Sequence, residues 1–193
     1  MIREILEKKP FYKLKVYGGS MLPLLRHGEE IIIRKIAVEH LRIGDVVFCQ
    51  HKDQFLAHRV VLKMSEKGKN TAVVTKGDTL TYLDPVSTEE QVVGLVTATV
   101  RNGKLADQTA PGIHGFNVVI AMISSFGLYL GYPLIKLNQT LGRGRLPFFI
   151  PLLRMICAGP TFLLALCAMP IIRLLSKIRI NEDLRAYFIA TTI

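Results

Sequence analysis

Polar and apolar residues alternate along Tyr12-Lys-Leu-Lys-Val-Tyr17, the two-residue period of a strand with one buried face. Glu30-Ile-Ile-Ile-Arg34, Asp45-Val-Val-Phe-Cys49, His58-Arg-Val-Val-Leu62, Ala72-Val-Val-Thr75 and Gln91–Val100 are short β-branched runs bounded by turn residues, and each predicts a strand. Glu66–Asn70 and Arg101-Asn-Gly-Lys104 have the composition of hairpin turns. Ile2–Lys9 carries the pattern of a short amphipathic helix, stopped by Pro10. The period changes at Ile113. From there to Ile135 only His114 and Asn117 are strongly polar, and a run of about 20 apolar residues suffices to span a bilayer as a helix. Gly127, Gly131 and Pro133 interrupt it; Leu137–Arg145 reads as a polar, flexible connection. Met155–Ile172 is a second uncharged run, broken at Gly159-Pro160 and Pro170. The pattern thus predicts a mainly β domain over residues 1–108 and an apolar helical, membrane-associated region over 109–193. The second part would form two candidate membrane helices, a re-entrant pair, or a hairpin buried in protein.

Charge sharpens this division. Met1–Gly112 holds 17 basic against 13 acidic residues, and the remainder holds 8 against 2. Between Ile113 and Ile180 there is no Asp or Glu. An apolar, acid-free segment flanked by Lys136, Arg143, Arg145, Arg173, Lys177 and Arg179 suits anionic lipid headgroups. Nucleic acid, the other common partner of a basic chain, is not expected, because the basic residues flank apolar runs and do not alternate with aromatics. Cys49, Cys157 and Cys167 match no metal-site spacing, and two of them lie in apolar runs, where a thiol packs as a small hydrophobe.

Candidate chemistry begins at Gly18-Gly-Ser-Met-Leu-Pro23. A serine on a glycine turn can offer its hydroxyl without steric cover, and glycine admits the close approach of a substrate strand. A serine hydroxyl is a poor nucleophile until a base takes its proton. Histidine, with an ordinary pKa of about 6.5, suits that task near neutrality. Three more segments stand beside the serine: Ile43-Gly-Asp-Val-Val-Phe48, Ala57-His-Arg-Val-Val61, and Thr75-Lys-Gly-Asp78 followed by Asp84.

In these four boxes, over roughly Tyr12–Val96, the sequence resembles the signal peptidase I family, whose wider clan includes the LexA-like self-cleaving proteins. Ser20-Met21-Leu22-Pro23 matches the nucleophile box, Gly44-Asp45-Val46-Val47 the Gly-Asp element, and His58-Arg59-Val60 the base, which is histidine in the endoplasmic-reticulum and archaeal branch. Lys76-Gly77-Asp78 and Asp84 match the Lys-Gly-Asp element and the aspartate six residues on. The resemblance implies a mainly β signal-peptidase/LexA-like catalytic domain. In it Ser20 is the nucleophile, His58 the base, and Asp84 the carboxylate that orients the imidazole, with Asp78 as the alternative orienter. Gly19, Met21 and Pro23 are implied to border bound substrate. The residue two before the family's nucleophile commonly bears a hydroxyl that helps stabilise the oxyanion; here it is Gly18, so that role passes to the Ser20 backbone N–H and another donor. Typical members carry a membrane anchor ahead of the serine box, whereas here the apolar segments follow it.

The expected activity is endoproteolysis of a precursor or leader peptide beside small side chains, near a membrane, with substrate added along exposed strand edges. Neither metal nor organic cofactor is implied. The expected partners are a peptide or preprotein and membrane lipid. Met1–Pro10 lacks the long apolar core of a signal peptide, which favours a cytosol-facing catalytic domain. Two alternatives carry different expectations: a LexA-like enzyme that cuts itself, and a membrane-bound scaffold that holds peptide without cutting it.

Overall fold

The computed structural model describes residues 8–66 and 68–140, together with 155, 159, 160 and 163. Eight strands form one sheet in which every pairing is antiparallel. They are β1 (Tyr12–Lys15), β2 (Glu30–Arg34), β3 (Val46–His51), β4 (Gln54–Glu66), β5 (Lys69–Lys76), β6 (Ser87–Thr88), β7 (Val92–Arg101) and β8 (Lys104–Asp107). The order across the sheet is β1-β2-β7-β3-β4-β5-β6, with β8 also paired to β7. β7 is the spine. One of its edges pairs with β2; the other pairs first with β3 at Val92–Leu95 and then with β8 at Ala98–Arg101. Breaks in register within β2–β7, β3–β7 and β4–β5 are bulges, which bend strands and increase twist.

The mainly β architecture agrees with the alternating pattern, but the core is two-sided. Ile31, Ile32 and Ile33 are all buried. Ile31 and Ile33 pack with Met21, Leu25 and Phe48, whereas Ile32 packs with Phe11, Ala98 and Val100. A strand covered on both faces has no reason to alternate, which explains the unbroken Ile run. A further cluster joins Val38 and Leu41, from around a short 3-10 helix at Val38–His40, to Val47, Val60, Val73 and Leu95. Each fully buried side chain of this kind contributes about 1.5–3 kcal/mol.

The Arg101–Lys104 turn forms as expected. Asn102 and Gly103 have φ of 51° and 69°, the left-handed pair that a two-residue hairpin favours and that Asn-Gly tolerates. The Lys52-Asp53 turn between β3 and β4 carries no such signal, and Lys52 itself adopts φ 53°. β6 and β8 are strands too short to show a period; each is held by pairing to a longer neighbour.

A helix, α1 (Pro111–Thr140), follows the sheet. It opens with proline at its first position, where no N–H is needed. It runs through Gly127, Gly131 and Pro133 and continues to Thr140, so residues 137–140, expected in a connection, are helical. In the half nearest the sheet Ile113, Asn117, Ile120, Ala121 and Ser124 are buried, one helical face. Among the described residues, no helix is long and apolar enough to cross a membrane. The predicted helix at Ile2–Lys9 lies outside the described residues but for its last two, and the second apolar run, Met155–Ile172, does so apart from 155, 159, 160 and 163.

Candidate active site

Ser20 follows β1 at the start of a tight turn, in which Leu22 N–H donates to Gly19 O and Leu25 N–H to Met21 O. Met21, Leu24 and Leu25 are buried in the core beneath and anchor this turn, and the Leu22-Pro23 peptide is cis. His58 sits on β4 opposite Val47 of β3. Asp84 arrives by a different route. The chain leaves β5, turns through residues 77–83 and returns alongside it, where Asp84 N–H donates to Thr75 O at 2.9 Å.

These three side chains meet in a line. Ser20 Oγ lies 2.8 Å from His58 Nε2, and His58 Nδ1 lies 2.6 Å from Asp84 Oδ2. Asp84 can only accept when ionised, so it selects the tautomer with the proton on Nδ1 and leaves Nε2 to accept the Ser20 proton. Thr75 Oγ1 also donates to Asp84 Oδ2, at 2.7 Å. His58 and Asp84 are buried, and Ser20 is half-buried. A hydroxyl, an imidazole and a carboxylate joined in this order can pass a proton from oxygen to nitrogen and stabilise the resulting imidazolium.

The other expected residues separate by role. Asp78 is not near the imidazole in this network: it takes two hydrogen bonds from Arg59, at 2.8 and 2.7 Å, in a fully buried pair. Arg59 also donates to Gly44 O at 3.0 Å. Because neighbours on a strand face opposite ways, His58 and Arg59 reach opposite sides of β4. Asp84 is therefore the carboxylate placed to orient the base, and Asp78 braces the turn. Of the three residues expected beside substrate, Met21 lines the cleft next to Ser20. Gly19 and Pro23 do not line it. Gly19 O accepts from Thr79 Oγ1, and Pro23 is buried within the turn. Their contribution is to shape the loop that carries Ser20.

The cleft holds about 190 Å³. Lys15, Val16 and Tyr17, at the end of β1, form one wall; Phe55, Leu56 and Ala57, at the start of β4, form another. Phe48 and Phe55 stack with ring centres 5.4 Å apart. Both walls carry strand edges without a strand partner among the described residues. β1 pairs with β2 only, and β5 pairs with β4 only from Arg59 onward. At Gly18 no side chain enters the site, and its N–H donates to His27 Nδ1 at 3.2 Å.

Thr75, Arg59, Thr79 and Ser124 were not singled out by sequence pattern. Thr75 and Arg59 are adjacent to or within the boxes that carry the resemblance, which is the signal that could have found them. Ser124, on α1, has no such mark. Comparison with known proteins found no family model, no curated protein and no solved structure that matches the chain.

Proposed function

We propose that the chain is a serine endopeptidase of the signal peptidase I type, cutting precursor or leader peptides beside small residues close to a membrane. The observation that carries this reading is the Ser20–His58–Asp84 line, with contacts of 2.8 and 2.6 Å. It is supported by the same four boxes that carry the sequence resemblance, now in contact across the sheet. Substrate would enter as an extended strand between β1 and the Gln54–Ala57 end of β4, since both edges offer backbone groups and the cleft between them is lined by Val16, Met21, Leu25, Phe48, Phe55 and Leu56 beside its polar groups. Ser20 Oγ attacks the scissile carbonyl while His58 Nε2 takes its proton; His58 then returns that proton to the leaving amine, and water repeats the sequence to release the acyl group. The Ser20 N–H travels with the nucleophile and is one donor to the oxyanion. Lipid contact belongs to the acid-free region after Ile113.

The test uses the full chain in detergent with a panel of Ala-rich precursor peptides. The wild type is expected to cleave, and Ser20→Ala and His58→Ala each to lose nearly all of that activity, since the pair acts as a unit. Cleavage at equal rate in Ser20→Ala rejects the peptidase. Peptide bound but uncut by every form favours the peptide-holding scaffold instead.

A further inference from the structure

α1 touches two turns near the candidate site, one bonded to Arg59 beside His58 and one bonded to Ser20. At its start, His114 Nδ1 lies 3.3 Å from Asp45 Oδ1. Next, its backbone rests directly on Gly44: a Cβ there would stand 2.7 Å from Val118 N and 2.8 Å from the Asn117 carbonyl carbon. Gly44 O in turn receives Arg59, the neighbour of His58. Further along, buried Ser124 receives a hydrogen bond from Lys76 Nζ at 2.5 Å. Lys76 is wholly buried, and its ammonium also donates to Gly77 O at 3.1 Å. Burying an ammonium is costly unless its protons are bonded, so acceptors such as the Ser124 hydroxyl are what make this position tenable.

The turn that Lys76 begins is also the one that grips the nucleophile. Thr79 N–H donates to Ser20 O at 2.9 Å, and Thr79 Oγ1 lies 3.1 Å from both Gly19 O and Ser20 O. Gly77 packs so closely that a Cβ on it would meet Ser20 Cβ at 2.9 Å. A shift of this turn therefore moves Ser20 relative to His58, which is fixed separately on β4. A misplacement of about 1 Å can cost on the order of a hundredfold in rate.

We propose that Ser124 is a positioning residue: through Lys76 it fastens the Lys76–Thr79 turn to α1 and so sets the placement of Ser20 against His58. On this view the helix leading into the apolar region is part of the peptidase and not only its tether. The inference rests on the peptidase reading for its kinetic consequence, but its structural half can be read without activity.

The experiment compares the full-length wild type, Ser124→Ala, Ser124→Thr and Ile32→Val in detergent. Ile32→Val is the control for general destabilisation, since Ile32 packs in a separate part of the core. Hydrogen exchange is followed at segments covering residues 18–25 and 76–84, and kcat and KM are measured on the peptide cleaved most readily by the wild type. Ser124→Ala is expected to speed exchange at the Thr79 amide and lower kcat by about tenfold or more with KM little changed. Ser124→Thr, which keeps the hydroxyl, restores both, and Ile32→Val leaves both as in the wild type. Unchanged exchange in Ser124→Ala overturns the fastening. Faster exchange with undiminished kcat overturns the positioning role. If the wild type cleaves nothing while Ser124→Ala still loosens Thr79, the peptidase reading fails and the fastening of the peptide site to α1 stands.

Discussion

His58 is held from both ends, and the two contacts do different work. On the proposed peptidase reading the 2.8 Å contact to Ser20 is the path of the proton, whereas the 2.6 Å contact to Asp84 decides which nitrogen is free to accept it. Asp84→Asn puts a donor where the acceptor stood and favours the wrong tautomer. We expect peptide cleavage to fall by roughly 10³–10⁴ with the fold intact, checked by kcat on the panel peptide and by circular dichroism. A loss below tenfold would mean that Asp84 does not orient the base. At this scale the sequence marked Ser20, His58 and Asp84 through boxes, in order along the chain, that resemble those of the signal peptidase I family. It left Asp78 and Asp84 as rivals, since both are aspartates a few residues apart after one strand. Their separation came from Arg59, which faces the other side of β4 and claims Asp78.

Strands whose pattern is local were legible as elements. Glu30–Arg34 is a strand over the residues that the β-branched run predicts, and the Asn102-Gly103 hairpin follows from the two residues that accept positive φ. β6 and β8 were not legible, because two to four residues carry no period and their partners lie elsewhere in the chain. The edges of β1 and of the first residues of β4 that lack a strand partner among the described residues were also out of reach, since an edge is a statement about neighbours elsewhere in the chain. Those edges lead to an expectation at the same scale. If substrate adds as a strand, N-methylation of its alternate backbone amides removes edge hydrogen bonds without changing side chains. Methylating the amides that face β1 or β4 should weaken binding to Ser20→Ala by about tenfold per lost pair of bonds, measured by titration calorimetry. Successive amides face opposite neighbours, so this holds for each amide within the cleft, whereas methylating amides beyond its ends should have little effect. Equal tolerance at every position would argue that side-chain pockets, not strand edges, hold the peptide.

Across the whole molecule, Arg59 joins parts far apart in the chain: Asp78 after β5, Gly44 before β3, and through Gly44 the backbone of α1. The Arg59–Asp78 pair is fully buried, so removing one partner leaves the other charge buried without its ion-pair partner. Arg59→Met is expected to destabilise the β domain by about 3–5 kcal/mol in chemical denaturation. Arg59→Met combined with Asp78→Leu should recover much of that loss, because two apolar side chains replace the pair without stranding a charge. No recovery would show that the fold requires the ion pair itself. The change of character at Ile113 was plain from the sequence, yet the pattern alone did not show that α1 begins by docking on the sheet. Its buried face is short and mixed, with Asn117 and Ser124 beside Ile113, Ile120 and Ala121, and so does not stand out within an apolar run.

Local order in the sequence determined the mainly β domain, most of its strands and the change to helix after it, and the resemblance carried by four short boxes singled out the hydroxyl, the imidazole and a choice of two aspartates. Those properties depend on periodicity and residue type within a few positions. Which aspartate meets the imidazole, which backbone edges face the cleft, and how Ser124 comes to lie against Lys76, 48 positions earlier, were decided only by tertiary structure. They depend on strand register and on the docking of a helix, and register couples residues whose separation along the chain leaves no mark in local pattern.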